Sequence, residues 1–207
     1  MRNARIVMLG TVTAGALLAS TGQSSSIVGS KHDMSAAAWN TSKTLCGTCH
    51  TPHNAIAGQP ALWNHQVTTA TYTVYASTTM NAVVGQPSGT SKLCLSCHDG
   101  TVALENFGST TTGTNFVTGV NNLGTNLSND HPISFTYDTA LATADGQLFD
   151  PATAQWNGAV SGTIASKMLF GGKLECASCH NPHDNQFTFF LRKSNTGSAL
   201  CLTCHNK

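Results

Sequence analysis

Apolar and polar positions along this chain alternate with little regularity. No segment sustains the 3.6-residue period of an amphipathic helix beyond short turns around its cysteine pairs. Ile6 to Ala19 form one largely apolar stretch, preceded by Arg2 and Arg5 and followed by small and polar residues from Ser20 to Ser26. That order reads as an export signal over residues 1–24, cleaved after Gly22 or among Ser24 to Ser26. The stretch is short for a membrane span, which needs about 18 or more residues, and no second one follows. The mature chain is therefore expected to have no membrane span. Farther along, Tyr72 to Ala76 reads as extended, and Met168-Leu169-Phe170 and Lys173-Leu174-Glu175 read as hairpin arms around Gly171-Gly172. Gly108 to Asn115 and Asn121 to Asn129, rich in Gly, Thr and Asn, read as loop. The fold class expected is mostly irregular coil with short helices and a few β-hairpins.

Such a chain is short of core-forming material. Leu, Ile, Val and Phe make up about a fifth of its 207 residues, near the level where a packed interior becomes hard to build. Something other than side chains must fill the interior.

The cysteines say what. All eight stand in pairs two residues apart, and each second cysteine is followed at once by histidine. The motifs are C-G-T-C-H at 46–50, C-L-S-C-H at 94–98, C-A-S-C-H at 176–180 and C-L-T-C-H at 201–205. Two thiols at this spacing reach the two vinyl groups on one porphyrin edge, and the next residue falls beneath the ring, where imidazole binds iron. A lone C-x-x-C also fits a thioredoxin-like redox pair or half a zinc site. Four copies that use every cysteine favour covalent haem. The expected cofactors are thus four haem c groups, attached through Cys46, Cys49, Cys94, Cys97, Cys176, Cys179, Cys201 and Cys204. Their proximal ligands are His50, His98, His180 and His205.

The motifs also align with one another. C-G-T-C-H-T-P-H-N at 46–54 matches C-A-S-C-H-N-P-H-D at 176–184, and L-C-L-S-C-H-D at 93–99 matches L-C-L-T-C-H-N at 200–206. Upstream, K-H-D-M-S at 31–35 matches D-H-P-I-S at 130–134. Residues 25–207 therefore read as one tetrahaem domain made of two duplicated dihaem halves, about 30–100 and about 130–207, joined by a Gly/Thr/Asn-rich loop.

Of the nine histidines, the duplication selects His32, His53, His131 and His183 as distal ligands. His65 has no counterpart; it reads as a solvated or packing residue, with a distal role as the alternative. His53 leaves the same short turn as His50, so it is expected on the haem of Cys94 and Cys97, and His183 likewise on that of Cys201 and Cys204. His32 and His131 then fall to the haems of Cys46/Cys49 and Cys176/Cys179. Each ligand needs its other ring nitrogen protonated and held by a carbonyl or water. Met34, Met80 and Met168 are competing ligands, with ordinary packing as the alternative. Trp39, Trp63, Trp156 and Phe187 to Phe190 fit either porphyrin faces or protein-only packing.

The formal charge of +1 argues against nucleic-acid binding. Two propionates per haem and a ferric core of about +1 would turn it into roughly −3 oxidised and about −7 reduced, enough to influence partner choice.

C-H-T-P-H-N, A-L-W-N-H, L-C-L-S-C-H-D-G, D-H-P-I-S-F and C-H-N-P-H-D together resemble the multihaem cytochromes with doubled C-x-x-C-H motifs found in metal-reducing bacteria. The resemblance covers about His32 to His205 and is nearest to the tetrahaem, filament-forming outer-surface cytochromes of the OmcE type. It implies bis-histidine irons, stacked haems and subunits polymerised into extracellular wires, with a histidine of one subunit able to ligate a haem of its neighbour. His32, near the mature N-terminus, is the expected crossing residue. Implied partners are identical subunits, upstream periplasmic or outer-membrane cytochromes and extracellular electron acceptors.

The function expected is extracellular or periplasmic electron transfer without catalysis, because imidazole on both sides of each iron leaves no place for substrate. A monomeric periplasmic shuttle is the alternative. A multihaem reductase of a small molecule, needing one open iron, is a third.

Overall fold

The computed structural model describes residues 26–207, so the export segment expected over residues 1–24 lies outside the described residues. Regular structure is sparse. Helix α1 spans Gly89–His98, α2 Thr139–Asp145, α3 Ile164–Lys167 and α4 Cys176–Cys179. Strands β1 (Thr73–Val74) and β2 (Asn126–Leu127) pair in parallel, and β3 (Phe135–Thr136) and β4 (Lys173–Leu174) antiparallel. Short 3-10 helices at Gly119–Asn121, Thr188–Phe190, Thr196–Ser198 and Cys201–Thr203 are set in turn and coil, as the absence of periodicity in the sequence requires.

Local chemistry sets these short elements. Helix α2 starts where the Asp138 side chain accepts a hydrogen bond from the Leu141 N–H (2.8 Å) and stops at Gly146, in the left-handed conformation. The Thr163 side chain caps α3 by accepting from the Ser166 N–H. Helix α1 ends at Asp99 and Gly100, where φ is +71° and a Cβ would collide with the Asn122 side chain. Only glycine lets Asn121 to Leu123 close over that helix end.

The expected hairpin is present only in part. Phe170 and Lys173 exchange two backbone hydrogen bonds around Gly171-Gly172, both at positive φ, the turn that pair favours. Its first arm, however, follows α3 rather than a strand, because the capped turn at Thr163 outcompetes extension. Its second arm, β4, pairs with β3 (Phe135 opposite Leu174).

Side-chain packing is correspondingly small. The larger cluster lies in the second half around Phe135, Tyr137, Trp156, Ile164, Met168 and Leu174; a smaller one joins Tyr72, Leu95 and Leu127. Trp156 packs on protein, with the Arg192 guanidinium 5.2 Å and the Lys193 ammonium 5.3 Å from its ring centre. Met168, 1% exposed, is a core residue of that cluster rather than a ligand pointing at a motif. No helix among the described residues is long and apolar enough to cross a membrane.

Candidate haem centres

Each C-x-x-C-H motif closes one turn of backbone. The His50 N–H donates to the Cys46 carbonyl at 2.8 Å, His180 to Cys176 at 2.9 Å and His205 to Cys201 at 3.1 Å, while Cys94 to His98 complete α1. Thr44 caps the first motif by accepting from the Gly47 N–H (2.9 Å), and Ser178 accepts from the Glu175 N–H (2.9 Å) at the third.

Three of the four motif imidazoles are oriented by main chain. His50 Nδ1 lies 2.7 Å from the Ala61 carbonyl, His98 Nδ1 2.8 Å from that of Asn121 and His180 Nδ1 2.8 Å from that of Phe189. With Nδ1 donating, Nε2 is left as the free lone pair, the arrangement a metal-binding imidazole needs. His131 Nδ1 is held likewise, 2.9 Å from the Pro132 carbonyl.

The first and third motifs obtain this clasp in the same way. In each, the chain folds back and pairs antiparallel with the motif, His50 with Trp63 and His180 with Leu191. The two residues before the bridge partner are left-handed in both: Ala61 and Leu62 at φ +58° and +53°, Phe189 and Phe190 at +60° and +59°. Side chains other than glycine hold that conformation at a cost of about 1 kcal/mol each, a strain that aims the carbonyl at the imidazole.

Three pairs of histidines face one another. The ring centres of His32 and His98 are 6.1 Å apart, those of His50 and His183 6.0 Å, and those of His131 and His205 6.3 Å. An iron between two imidazoles, with metal–nitrogen bonds of about 2 Å and each ring centre roughly 1 Å farther, sets ring centres about 6 Å apart. The described residues therefore fit haem on geometry as well as on motif.

The pairing differs from the one expected. His183 stands beside His50 rather than His205, His131 beside His205 rather than His180, and His32 beside His98 rather than His50. The expectation treated each duplicated half as a closed unit. In the folded chain the loop carrying His183 lies against the first half, so this pair crosses between halves, while His32 with His98 and His131 with His205 stay within one half. His53 and His180 stand outside the three pairs, and both are exposed.

His32 is turned inward, its ring 4.5 Å from that of Phe190, rather than carried on an outward arm. Burial, reinforced by His98, holds it below the ordinary imidazole value. His65 is 2% exposed, so it is not solvated. Its Nδ1 lies 3.0 Å from the Gln66 carbonyl and its Nε2 3.1 Å from the Ala103 carbonyl, so whichever nitrogen carries the proton has a main-chain acceptor within the protein.

The helices that carry the second and third motifs, α1 and α4, pack against each other. Burial pushes the Cys97 and Cys204 thiols up to about 12 and Cys179 up to about 11.

The family described as the doubled CXXCH motif matches the chain over residues 169–207. Its last two motifs are a doubled CXXCH motif. That pattern is consistent with a multihaem c-type cytochrome and indicates covalently bound haem c. Among curated proteins none matches the chain. The doubled motif covers Cys176 to His205, the stretch that holds α4, the Phe189 carbonyl clasp and the fourth motif.

Sequence reading missed the clasps themselves, since main-chain carbonyls leave no residue-type signal. It also missed Glu175, although a signal existed: the duplication sets Leu45 where the second half has Glu175.

Proposed function

We propose that the chain is a tetrahaem c-type cytochrome that relays electrons outside the inner membrane, with histidine on both sides of its irons. The observation that carries this is the set of three histidine pairs spaced 6.0–6.3 Å, each containing a motif histidine. On this reading His32 serves the haem of Cys94 and Cys97, His183 that of Cys46 and Cys49, and His131 that of Cys201 and Cys204. Bound haem iron would supply one-electron exchange between its ferric and ferrous forms. The chain's own part is to attach the groups through its cysteines, to leave Nε2 of His50, His98, His131 and His180 free by holding Nδ1 on a main-chain carbonyl, and to keep other ligands off the iron with a second imidazole. That arrangement makes a carrier rather than an enzyme. Pyridine haemochrome titration and intact mass of the secreted protein test it, with four haems per chain and wholly low-spin spectra expected. Fewer than four haems, or binding of carbon monoxide at one iron in the assembled protein, overturns it.

The chain is further proposed as the subunit of an extracellular filament. His180 and His53 support this: both are exposed and both lie outside the three pairs. A second copy that brings His53 to the haem of Cys176 and Cys179 would complete the fourth iron and join the subunits. Electron microscopy of the secreted material, with and without His53→Ala, tests the assembly. Filaments that persist unchanged in the variant remove His53 from that role, and material that stays monomeric favours a periplasmic shuttle.

A further inference from the structure

Glu175 is 2% exposed and immediately precedes Cys176, the first cysteine of the third motif. A carboxylate so deeply buried is retained only where donors satisfy it. Here they come from two distant parts of the chain. One oxygen, Oε2, accepts from the Ser91 hydroxyl, from the Ser91 N–H (3.3 Å) and from the Ser134 hydroxyl (2.8 Å). The Ser91 hydroxyl in turn accepts from the Cys176 N–H at 2.9 Å, and the Ser134 hydroxyl accepts from the Ser88 N–H at 3.0 Å.

Ser91 lies in the first turn of α1, which carries the second motif; Glu175 precedes α4, which begins the third. The carboxylate thus ties the helix that ends the first dihaem half to the helix that opens the second. α1 and α4 pack against each other, and the Cys176 N–H donates to the Ser91 hydroxyl of α1, so the second and third motifs are held side by side. Gly89 permits the approach: its φ is +50°, and a Cβ there would stand 3.1 Å from Glu175 Oε1. Lys173 donates to the Ser88 hydroxyl at 3.2 Å.

The duplication shows that Glu175 is not needed to hold haem. The first motif has Leu45 at that position, and its turn is capped from Thr44. The acidic residue stands only where one half meets the other.

We propose that Glu175 is a positioning residue for electron passage between the halves, holding the Cys94 and Cys176 attachment edges together. This rests on the haem reading above. The step moves one electron: the ferrous centre attached at Cys94 and Cys97 is oxidised as the ferric centre at Cys176 and Cys179 is reduced, or the reverse, and no proton or bond changes. Two motif helices packed together bring their porphyrins close, and electronic coupling falls steeply with separation.

The test uses the secreted holoprotein and three variants: Glu175→Leu, the residue of the first half; Glu175→Gln, whose amide oxygen still accepts from both serines; and Ser134→Ala. Haem count and low-spin spectra come first, because a wild-type chain with fewer than four haems refutes the haem reading itself. Exchange between haems is then followed by two-dimensional NMR exchange spectroscopy, with Soret circular dichroism reporting the coupling between porphyrins. The expected result for Glu175→Leu is four low-spin haems, a changed bisignate Soret signal and a several-fold slower exchange across the halves, with exchange inside each half unaltered. Glu175→Gln restores the signal and most of the rate, as a role in position rather than charge requires. If Glu175→Leu fails to take up haem, Ser134→Ala, which removes one donor from the carboxylate, must show the same selective slowing. Unaltered exchange in the haem-loaded variants, or equal slowing of every step, overturns the proposal.

Discussion

The imidazole of His183 lies nearly parallel to that of His50, ring centres 6.0 Å apart and planes 25° from each other, although the two residues belong to opposite halves of a duplicated chain. The other two facing pairs are close to perpendicular, at 87° for His32 with His98 and 75° for His131 with His205. One consequence is a discriminating experiment on ligand exchange between halves. His183→Ala should produce one high-spin iron, at the haem of Cys46 and Cys49, seen by electron paramagnetic resonance. Adding Cys46→Ala and Cys49→Ala should then abolish that signal. A high-spin signal that survives removal of this attachment would assign His183 elsewhere.

His65 gives a pH dependence with a definite sign. Burial lowers it from its ordinary value of 6.5, against the opposing pull of the Gln66 and Ala103 carbonyls. In the folded protein it resists protonation while the unfolded chain accepts a proton. Stability is therefore full above about pH 6.5 and falls as the pH drops below it toward the folded value. His65→Gln should flatten that acid limb in guanidinium titrations performed between about pH 7 and about pH 5. An unchanged slope would show that the acid sensitivity resides in other groups.

Asp99, 4% exposed, ends the second motif as a hydrogen-bond hub. It accepts from Thr68 (2.7 Å), Tyr72 (2.5 Å), the Thr101 N–H (2.7 Å) and the Thr101 hydroxyl (2.8 Å). Asp99→Ala strands several donors at once and should cost about 3 kcal/mol, measured by equilibrium unfolding of the ferric protein. Asp99→Asn keeps acceptor capacity and should lose less. Equal losses in the two variants would point to size rather than hydrogen bonding.

Gly100→Ala combines a left-handed φ of +71° with a collision against Asn122. A loss of about 2 kcal/mol is expected from the backbone term and the displaced loop together. The same displacement moves the Asn121 carbonyl off His98 Nδ1, so His98 should exchange more readily with added cyanide. Wild-type exchange kinetics in this variant would separate the helix end from the clasp.

Much of this was legible from residue spacing. The doubled C-x-x-C-H pattern, the scarcity of regular elements and the loop character of residues 108–115 all follow from local chemistry, which needs no knowledge of what lies across the fold. The pairing of His183 with His50 was not legible, because a duplication shows which residues correspond and says nothing of which half each one faces. The parallel pairing of Thr73 with Asn126 was hidden for the same reason, since two-residue strands 53 positions apart leave no periodic trace. Trp156 looked equally suited to a porphyrin and to protein. Only the flanking Arg192 and Lys193, brought over its ring from far along the chain, decide for the latter. Of the solvated and packing roles open to His65, burial decides for packing, and no residue pattern signals that the chain near Ala103 closes over it.

The clasps at Ala61, Asn121 and Phe189 use oxygens that every amino acid possesses. All three positions are exposed, so their side chains are free to drift without touching the electronic character of the imidazoles they steady. A chain organised this way can rewrite its outward face to meet new neighbours while the wiring inside keeps the same settings.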